Sequence, residues 1–349
     1  MSVIAIDVGD KTVKLCVFDR REGKVTRQFR LRVTGFPCNL PIIDIPTEEI
    51  QVVVYGTGLK NAESELRLLF PHAELIEAKE GKMDNPGITL DIGAHKTSVQ
   101  RRYLPIGGED IISASPAGSF HFGVEAGEAL GPACYGFGGV SPTLMDVHML
   151  LGKLYPYDFL EYNHILELKQ SYHVLLALAQ EKGANPYLIA QQVLEQINCT
   201  LTREIKFILK ERNKKARDTN LIALGGVGPL HAVELAKSAG LAGVIIPPYP
   251  ELGLETNQYL AKLMENSEEQ VQDWYRPTSL ALLKRLEGLF NFGEKLEHVE
   301  LSFYRRDKLF PHAIVYGPCI ITQLGSTLFI PPYFQAIVGE DRSITIPIS

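Results

Sequence analysis

The sequence predicts an α/β protein of two lobes, and three observations support this fold class. The chain has 349 residues, which exceeds the roughly 250–300 residues at which a single hydrophobic core stops growing. Two hairpins of one design occur, the first around Asp7 and the second around Asp91. A strand, a Gly-Gly turn, a helix and another strand follow one another over residues 220–248, an order typical of parallel sheets.

The N-terminal part of the chain consists mainly of predicted strands. The β-branched run VIAIDV at 3–8 and the alternating TVKLCVF at 12–18 predict a β-hairpin. QVVVYG at 51–56 predicts a buried strand that ends in glycine, and a helix is expected over 61–70, before Pro71. The second hairpin is predicted over 87–99 and contains LDIGAHKT.

The middle of the chain is predicted to be helical. Ser141 is the expected N-cap of a helix whose first position is proline, in SPTLMDVHMLLGKL. Longer amphipathic helices are expected over 161–180 and 185–212, and Asn185-Pro186 again supplies a cap and a proline start. The strands of the tail, from residue 298 onward, are expected to pack on the N-terminal lobe. The predicted lobes are therefore 1–87 plus 276–349, and 88–275.

Composition limits the partners that the protein can have. A formal net charge of −6, with 45% apolar and 22% charged residues, gives no general attraction to nucleic acid or anionic lipid. No stretch approaches the ~18–20 apolar residues that span a bilayer, and acidic residues lie where a signal peptide needs its apolar region. The five cysteines are scattered without a C-x-x-C pair. We expect a cytoplasmic protein with no nucleic-acid or membrane partner.

Both hairpin turns begin with Asp-x-Gly, which suits phosphate chemistry. Glycine lets the backbone approach a phosphate, and the aspartate can hold Mg²⁺ or position an attacking hydroxyl. A third glycine-rich turn, LGGVGPLHA, opens a helix. Three such turns in this order predict a polyphosphate site. Its members are Asp7, Gly9 and Thr12 in the first turn, Asp91, Gly93 and Thr97 in the second, and Gly225, Gly226 and Gly228 in the third, with Asp7 and Asp91 as the catalytic and metal-binding residues.

The pattern resembles the superfamily of actin, sugar kinases and heat-shock-chaperone ATPases, which share a ribonuclease H-like fold. GPACYGFGGVSPTLMDVHMLLGKL at 131–154 further resembles a signature of the family of hydantoinase A, 5-oxoprolinase and the acetone carboxylase β-subunit. LIALGGVGPLHAVELAKSAGLAGVIIPPYPELG at 221–253 and YGPCIITQLGSTLFIPPYFQAIV at 316–338 are similar to two further segments of that family. The resemblance covers most of the chain, which is short for the family.

The resemblance implies a two-lobed ATPase fold with a nucleotide cleft, ATP or ADP as the nucleotide, and Mg²⁺. Family members pass the γ-phosphate of ATP to an amide, lactam or carbonyl oxygen of a small molecule and so activate it for hydrolysis or transfer. They commonly work with a larger hydantoinase-B-like subunit; a homodimer is the other expected assembly. Two alternatives stay open, a nucleotide-binding accessory or regulatory subunit, and an ATP-dependent synthase that joins an amine to the activated substrate.

The turns also depart from the family's DxGGTxTD pattern. Asp10-Lys11 follows the first glycine, and Ala94-His95 follows the glycine of the second turn. Loss of the second glycine restricts the approach of the backbone to a phosphate. Lys11, Lys14 and Lys96 are either compensating phosphate contacts or surface lysines, and His95 is either a donor to a phosphate or an exposed turn residue.

Four further residues are candidates for the site. Cys134 lies in a glycine-rich loop without a partner at metal spacing, which favours a buried structural cysteine over a nucleophile or ligand. His231, in the first turn of the helix after Gly228, either touches the nucleotide or caps the helix. Asp146 and His148 are two positions apart on a predicted helix, so they do not share a face and do not suggest a metal site.

Overall fold

The computed structural model describes residues 2–8, 12–19, 24–32, 50–56, 67, 74–77, 87–115, 118–123, 130–157, 165–265, 281–291, 296–323 and 325–348. The chain divides into two compact units. Unit 1 consists of Met1–Asp84 and Pro247–Tyr275, and unit 2 consists of Asn85–Ile246 and Arg276–Ser349.

Unit 1 is built on a five-stranded sheet in the order β3-β2-β1-β4-β5. The strands are β1 (Ser2–Val8), β2 (Thr12–Asp19), β3 (Lys24–Arg32), β4 (Ile50–Gly56) and β5 (Glu74–Glu77). β1 pairs antiparallel with β2, which confirms the predicted N-terminal hairpin, and parallel with β4. The helix Leu254–Glu265 belongs to this unit. Its Leu260 packs against the sheet because Val3, Ala5 and Phe18 present apolar side chains on that face.

Unit 2 contains an eight-stranded mixed sheet in the order β15-β18-β19-β12-β11-β6-β7-β8. These strands are β6 (Ile88–Ile92), β7 (Thr97–Val99), β8 (Arg102–Leu104), β11 (Asn220–Gly225), β12 (Gly243–Ile246), β15 (Ile314–Tyr316), β18 (Gln335–Val338) and β19 (Ile344–Pro347). A two-stranded sheet pairs β9 (Ile111–Ala114) with β10 (Phe120–Gly123). A four-stranded sheet contains β13 (Leu282–Asn291), β14 (Leu296–Arg305), β16 (Cys319–Gln323) and β17 (Ser326–Ile330), in the order β13-β14-β16-β17.

The helices of unit 2 are α1 (Leu144–Leu150), α2 (Leu168–Glu181), α3 (Pro186–Glu211) and α4 (Gly228–Ala239). α3 begins as predicted, because the Asn185 side chain accepts a hydrogen bond from the Tyr187 amide. α1 begins later than predicted. Its N-cap is Thr143, which forms a capping box with Asp146, so the expected cap at Ser141 is wrong.

The two motifs that predicted the α/β class are confirmed in unit 2. β6 and β7 form the second hairpin. β11, α4 and β12 form the predicted strand–helix–strand unit, in which the two strands are parallel. β11 is buried along almost its whole length, as expected for a central strand of a mixed sheet covered on both faces. The predicted helix over 61–70 lies, apart from Arg67, outside the described residues.

The structure divides the chain differently from the predicted lobes. The tail joins the sheet of the second hairpin, because β19 pairs antiparallel with β12 along Gly243–Ile246. Residues 247–275 fall instead in the unit of the first hairpin, because Leu252 and Leu260 share its hydrophobic core. The period-2 pattern of the tail predicted strands, but it carried no information about which sheet those strands join.

Among the residues that the structure describes, none of the helices combines the length and the apolar character that crossing a membrane requires.

Candidate functional site

The candidate site of unit 2 lies where β6 and β11 end side by side. The two strands are parallel, with Asp91 opposite Leu224 and Ile92 opposite Gly225. Their carboxyl ends therefore meet at one edge of the sheet, which is where open α/β sheets bind their ligands. The pairing brings together two of the three turns that the sequence indicated, the turn after Asp91 and the glycine-rich turn before α4.

Gly225 is the closest point between these two turns. Its backbone has a φ of 80°, which is in the left-handed region. A Cβ atom at this position would overlap the Asp91 carboxylate and the Ile92 carbonyl. Only glycine fits both conditions, so Gly225 allows the carboxylate of Asp91 to lie directly against the backbone that leads into α4.

The rest of the glycine-rich turn is tied to β17. The Gly225 carbonyl accepts a hydrogen bond from the Ser326 hydroxyl at 2.9 Å, and the Gly226 carbonyl accepts one from the Thr327 amide at 3.4 Å. A Cβ atom at Gly228 would lie 3.5 Å from its nearest neighbours, which is an ordinary van der Waals contact. The N-cap position of α4 is Val227, whose side chain cannot accept a hydrogen bond. Backbone N–H groups at such a helix start suit an anion.

The turn after Asp91 is closed by its own backbone and by residues 107–109. The Gly93 amide donates to the Lys96 carbonyl at 3.0 Å. The Gly93 and Ala94 carbonyls accept hydrogen bonds from the amides of Gly108 and Glu109, at 2.9 and 2.8 Å. The segment 107–109 therefore packs directly on the turn, and the two turn carbonyls have partners.

The side chains of Thr97 and Lys96 contact residues outside the turn backbone. Thr97 is fully buried, and its hydroxyl donates to the Ile106 carbonyl at 2.6 Å. The Lys96 ammonium lies 5.4 Å from the centre of the Tyr103 ring, in a cation–π geometry. The hydroxyl of Thr97 therefore has a structural use in the hairpin.

His95 is held by a buried carboxylate. Its Nδ1 lies 2.8 Å from Oδ1 of Asp110, and Oδ2 of Asp110 accepts from the Gly107 amide at 2.8 Å. The His95 side chain is 16% exposed and that of Asp110 is 2% exposed. His95 is thus fixed rather than free in solvent. No sequence pattern indicated this role of Asp110, because an aspartate in a glycine-rich loop is ordinary turn chemistry.

The first turn, in unit 1, is described only in part. Oδ2 of Asp7 accepts a hydrogen bond from the Gly253 amide at 3.0 Å. The Lys14 ammonium donates to the Glu251 carbonyl. Both contacts reach the loop 249–253, which Asn257 organises through hydrogen bonds to the backbone of Tyr249. The predicted site residues Gly9 and Lys11 lie outside the described residues, and Thr12 opens β2.

Comparison with known proteins places the chain in a family. The hydantoinase/oxoprolinase family model matches residues 77–267, more than half of the chain. The chain belongs to the hydantoinase/oxoprolinase family. The caprolactamase subunit alpha of Pseudomonas jessenii is 30% identical over 151 residues, which cover 43% of this chain and 22% of that protein. The chain spans less than half the length of the curated relatives that it matches.

Two solved structures share the fold. The ATP-dependent caprolactamase from Pseudomonas jessenii has a TM-score of 0.56 at 14% identity and covers 100% of this chain and 59% of that one. Nucleotide-free acetone carboxylase has a TM-score of 0.55 at 13% identity, over 75% of this chain and 58% of that chain. These likenesses confirm the predicted α/β class and the actin-like ATPase fold of the hydantoinase/oxoprolinase family.

Asp146 is a buried structural residue of this hydantoinase/oxoprolinase member that the sequence reasoning missed. Its Oδ1 accepts from the Cys134 amide and the Ser171 hydroxyl, both at 2.8 Å. Its Oδ2 accepts from the amide and the hydroxyl of Thr143, at 3.0 and 2.8 Å. The carboxylate thereby ties the glycine-rich loop to α1 and α2. The signal that could have shown this role is the spacing Thr-x-x-Asp of a capping box.

Cys134 and His231 are both buried in the same hydantoinase/oxoprolinase chain. Burial, followed by the nearby Asp146 carboxylate, raises the pKa of the Cys134 thiol well above its usual range. A thiolate nucleophile is therefore disfavoured, and the expectation of a structural cysteine holds. His231 neither caps α4 nor faces a ligand, because its ring contacts Asn198 at 2.7 Å and His148 at 3.1 Å.

The pair His148–His231 is part of a buried polar chain. Oε2 of Glu234 accepts from Nδ2 of Asn198 at 2.8 Å, so Oδ1 of Asn198 faces His231 and accepts from its Nδ1. Nε2 of His231 then accepts from Nε2 of His148. Burial, followed by the charge of Lys153, lowers the pKa of His231 to about 3, and burial also lowers that of His148. Both rings are neutral at pH 7.

Proposed function

We propose that this chain binds Mg²⁺-ATP and transfers its γ-phosphate to the oxygen of an amide, lactam or carbonyl substrate. Transfer would make the substrate carbon reactive toward water or another nucleophile. The observation that carries the proposal is the meeting of the β6 and β11 ends, where Gly225 leaves room for the Asp91 carboxylate beside the start of α4. Membership of the hydantoinase/oxoprolinase family supports the same chemistry.

In this proposal each turn has a separate task. The amides at the start of α4, with Gly225, Gly226 and Gly228, contact phosphate oxygens. Asp91 holds Mg²⁺, and Asp7 is the second candidate for a carboxylate ligand. Further proposed contacts of the nucleotide are Gly9, Lys11, Thr12, Gly93 and Lys96. Thr97 instead stabilises the fold of its hairpin. The nucleotide cleft that the sequence predicted stays a prediction.

The residues that the structure describes fit Mg²⁺ better than a metal that needs a protein cage. Among the described residues, no group of three or more His, Cys, Asp and Glu side chains is arranged so that it could hold a metal ion. Mg²⁺ is usually held by one or two carboxylates, with substrate phosphates and water as the remaining ligands. When bound, the ion would neutralise charge on the phosphates, and Asp91 would orient it.

The proposed assembly includes a second subunit. The similar caprolactamase protein of Pseudomonas jessenii is named as a subunit alpha, and this chain matches only part of its relatives. We infer a larger hydantoinase-B-like partner that supplies part of the active site for a small-molecule substrate, with a homodimer as the other assembly. The cytoplasm remains the proposed compartment, since the four described cysteines are free, among them the buried Cys16 and Cys319.

One observation favours a second candidate function, an accessory subunit that binds nucleotide without turnover. In the second turn, the Gly93 amide already donates to the Lys96 carbonyl, and the Thr97 hydroxyl already donates to the Ile106 carbonyl. A turn whose groups are already satisfied by the fold has fewer left for a γ-phosphate in the transition state.

The release of ADP from MgATP separates these functions. The isolated chain, and the chain with its candidate larger subunit, would be incubated with hydantoins, lactams and linear amides. The proposal predicts substrate-stimulated ADP release that Asp91→Asn abolishes. Nucleotide binding without ADP release under any of these conditions supports the accessory function, and ADP release that needs both an amide and an added amine indicates a synthase.

A further inference from the structure

The two edge strands of the eight-stranded sheet, β8 and β15, differ in the side chains that they expose. On β8, Arg102 forms salt bridges with Glu204 and Glu211 of α3. Charged side chains on an edge strand discourage the addition of another strand, because they would be buried by it. The β8 edge is therefore protected against pairing with another chain.

β15 presents an apolar edge instead. Ile314 and Tyr316 are exposed, whereas Val315 between them is buried. The segment 309–322 contains no Lys, Arg, Asp or Glu, so β15 lacks the charged residues that usually protect an edge. Two copies of this chain, each with a net charge of −6, could therefore meet at β15 without bringing like charges of this segment together.

The backbone of β15 also has hydrogen-bonding groups directed away from β18. The Ala313 carbonyl and the Gly317 amide form backbone hydrogen bonds on the β18 side, at 3.0 and 2.9 Å. Consecutive residues of an antiparallel strand direct their N–H and C=O groups alternately to its two sides. Val315 therefore pairs with β18, and the N–H and C=O groups of Ile314 and Tyr316 point to the outer side of this last strand of the described sheet.

Tyr333 lies beside the end of this edge in a strained conformation. It precedes Phe334, whose carbonyl accepts the hydrogen bond from the Gly317 amide. Its φ of 69° is in the left-handed region, which is unfavourable for an aromatic residue. Its side chain is 100% exposed, so the ring does not compensate the strain by packing in its own fold. Strain at an exposed tyrosine points to a contact with another molecule.

We propose that β15 is the interface of a homodimer, in which two copies pair antiparallel across a two-fold axis at Val315. In this register Ile314 of each copy lies opposite Tyr316 of the other. Each such pair exchanges two backbone hydrogen bonds, because both residues direct their N–H and C=O groups outward. Each pair also joins a β-branched side chain to an aromatic one, which is a favourable cross-strand combination. The β15 edge is therefore complementary to itself.

The apolar area at this edge fits a dimer of modest affinity. A buried tyrosine covers about 150–250 Å², so Tyr316, which is 67% exposed, and Tyr333 supply roughly 500–800 Å² over two copies. Ile314 and the strand backbone bring the buried area toward about 1,200 Å², the lower limit of standard interfaces. The two-fold pairing occupies the β15 edge of both copies, and the β8 edge is charged, so the assembly closes at two copies.

Analytical ultracentrifugation of the intact chain over micromolar concentrations tests the dimer. We expect a monomer–dimer equilibrium whose dissociation constant rises at least about tenfold in Tyr316→Lys, because the variant loses an aromatic anchor and places a charge on the edge. Tyr103→Lys adds the same charge to a 63% exposed tyrosine of β8 and should leave the dissociation constant unchanged. A chain that stays monomeric, or a Tyr316→Lys variant that dimerises as well as the original, overturns the inference.

Disulfide cross-linking tests the register. In a Cys199→Ser background, which removes the exposed cysteine, the variants Ile314→Cys and Tyr316→Cys would be mixed and mildly oxidised. Opposite residues have Cα atoms about 5.5 Å apart, which suits a disulfide. The mixture should therefore form more cross-linked dimer than either variant alone. A dimer whose mixture cross-links no better than the single variants contradicts the axis at Val315.

Tyr333→Gly separates a contact in the dimer from a role in the fold. Glycine removes the strain, so the midpoint of thermal unfolding should rise by about 2–4 °C at a dilution at which the chain is monomeric, while dimer affinity falls. A lower midpoint, or an unchanged dimer affinity, contradicts the role given to Tyr333. The inference rests on the homodimer of the proposed function, but none of these measurements includes nucleotide. A failure to dimerise therefore leaves the ATP chemistry untouched, and a failure to bind nucleotide leaves the dimer untouched.

Discussion

The two Asp-x-Gly turns are alike in sequence, but their aspartates have different neighbours. In unit 1, Asp7 accepts a hydrogen bond from Gly253, in a loop that lies far along the chain. In unit 2, Asp91 lies against Gly225, at the end of a neighbouring parallel strand. The motif predicts a strand that ends in a carboxylate. What the carboxylate contacts depends on the elements that pack beside it.

The largest expected effect is on the second turn, from Gly225→Ala. The added methyl group would overlap the Asp91 carboxylate and the Ile92 carbonyl in a backbone of positive φ, so we expect the free energy of unfolding to fall by about 2–5 kcal/mol.

Two control variants separate the effect of the overlap from the effect of the positive φ. Gly240 has a φ of 73° and open space where a methyl group would be added, so Gly240→Ala should lower the free energy of unfolding by about 1 kcal/mol. Gly228→Ala meets only ordinary contacts and should cost less. Chemical unfolding measures all three; equal losses at Gly225 and Gly240 would refute the overlap.

The support of the second turn can be broken at Asp146. The start of α1 contacts the segment 107–109, which packs on that turn, because the Met145 amide donates to the Gly108 carbonyl at 3.0 Å. Asp146→Asn places NH₂ against backbone donors and should destabilise the protein by about 2–4 kcal/mol. Ser171→Ala removes a single donor to the same carboxylate and should cost about 1 kcal/mol. Similar losses for both variants would show that Asp146 is not the centre of this network.

Acid should distinguish the two units. The described residues of unit 1 include no histidine, whereas unit 2 buries His148 and His231. The folded pKa of His231 is about 3, below its unfolded value near 6.5, so the unfolded chain binds more protons between these pH values. Stability is therefore fully present above pH 6.5 and falls as pH decreases, by about 2 kcal/mol from His231 alone between pH 7 and 5.

Hydrogen exchange as a function of pH measures this difference unit by unit. Amides of α4 should lose protection between pH 7 and 5 faster than those of β1. Replacement of both rings in His148→Phe/His231→Phe should flatten the dependence. If the protection of α4 is unchanged at pH 5, the two rings are not kept neutral by the fold.

The smallest expected effect comes from Lys96→Met. The ammonium lies over an exposed tyrosine, so the free energy of unfolding should change by less than about 1 kcal/mol. The substitution separates the two interpretations of this lysine that the sequence left open. A fall in AMP-PNP affinity with unchanged stability would make Lys96 a phosphate contact, whereas unchanged affinity would make it a surface lysine. Lys182→Met, which removes a comparable cation–π contact with Phe120 away from the turn, is the matched control.

Much of the fold followed from local patterns in the sequence. Alternation and turn glycines predicted both hairpins, and the order strand, Gly-Gly, helix, strand predicted the parallel pairing of β11 with β12. The destination of the C-terminal strands did not follow, because side-chain period does not encode the partner of a strand. The cap of α1 was misplaced by two residues, since a Ser-Pro start and a Thr-x-x-Asp box stand almost side by side.

The candidate site was predictable only where a residue's role is local. Gly225 carried its own signal, as a glycine in a turn before a helix. Asp110 and Asn198 carried none, because their roles depend on His95 and His231, which lie 15 and 33 residues away in sequence. His231 shows the limit most clearly. Its position in the first turn of α4 suggested a ligand or a cap, but the packing of α1 and α3 gives its ring other partners.

The central claim is the proposal that the second turn, through Asp91, binds Mg²⁺-nucleotide. Calorimetric titration of the intact chain with AMP-PNP and Mg²⁺, repeated on Asp91→Asn, tests it most directly. We expect saturable one-to-one binding that the substitution weakens by at least about tenfold, a loss of roughly 1.4 kcal/mol of binding free energy. An intact, folded chain that binds no nucleotide, or an Asp91→Asn variant that binds as well as the original, would contradict it.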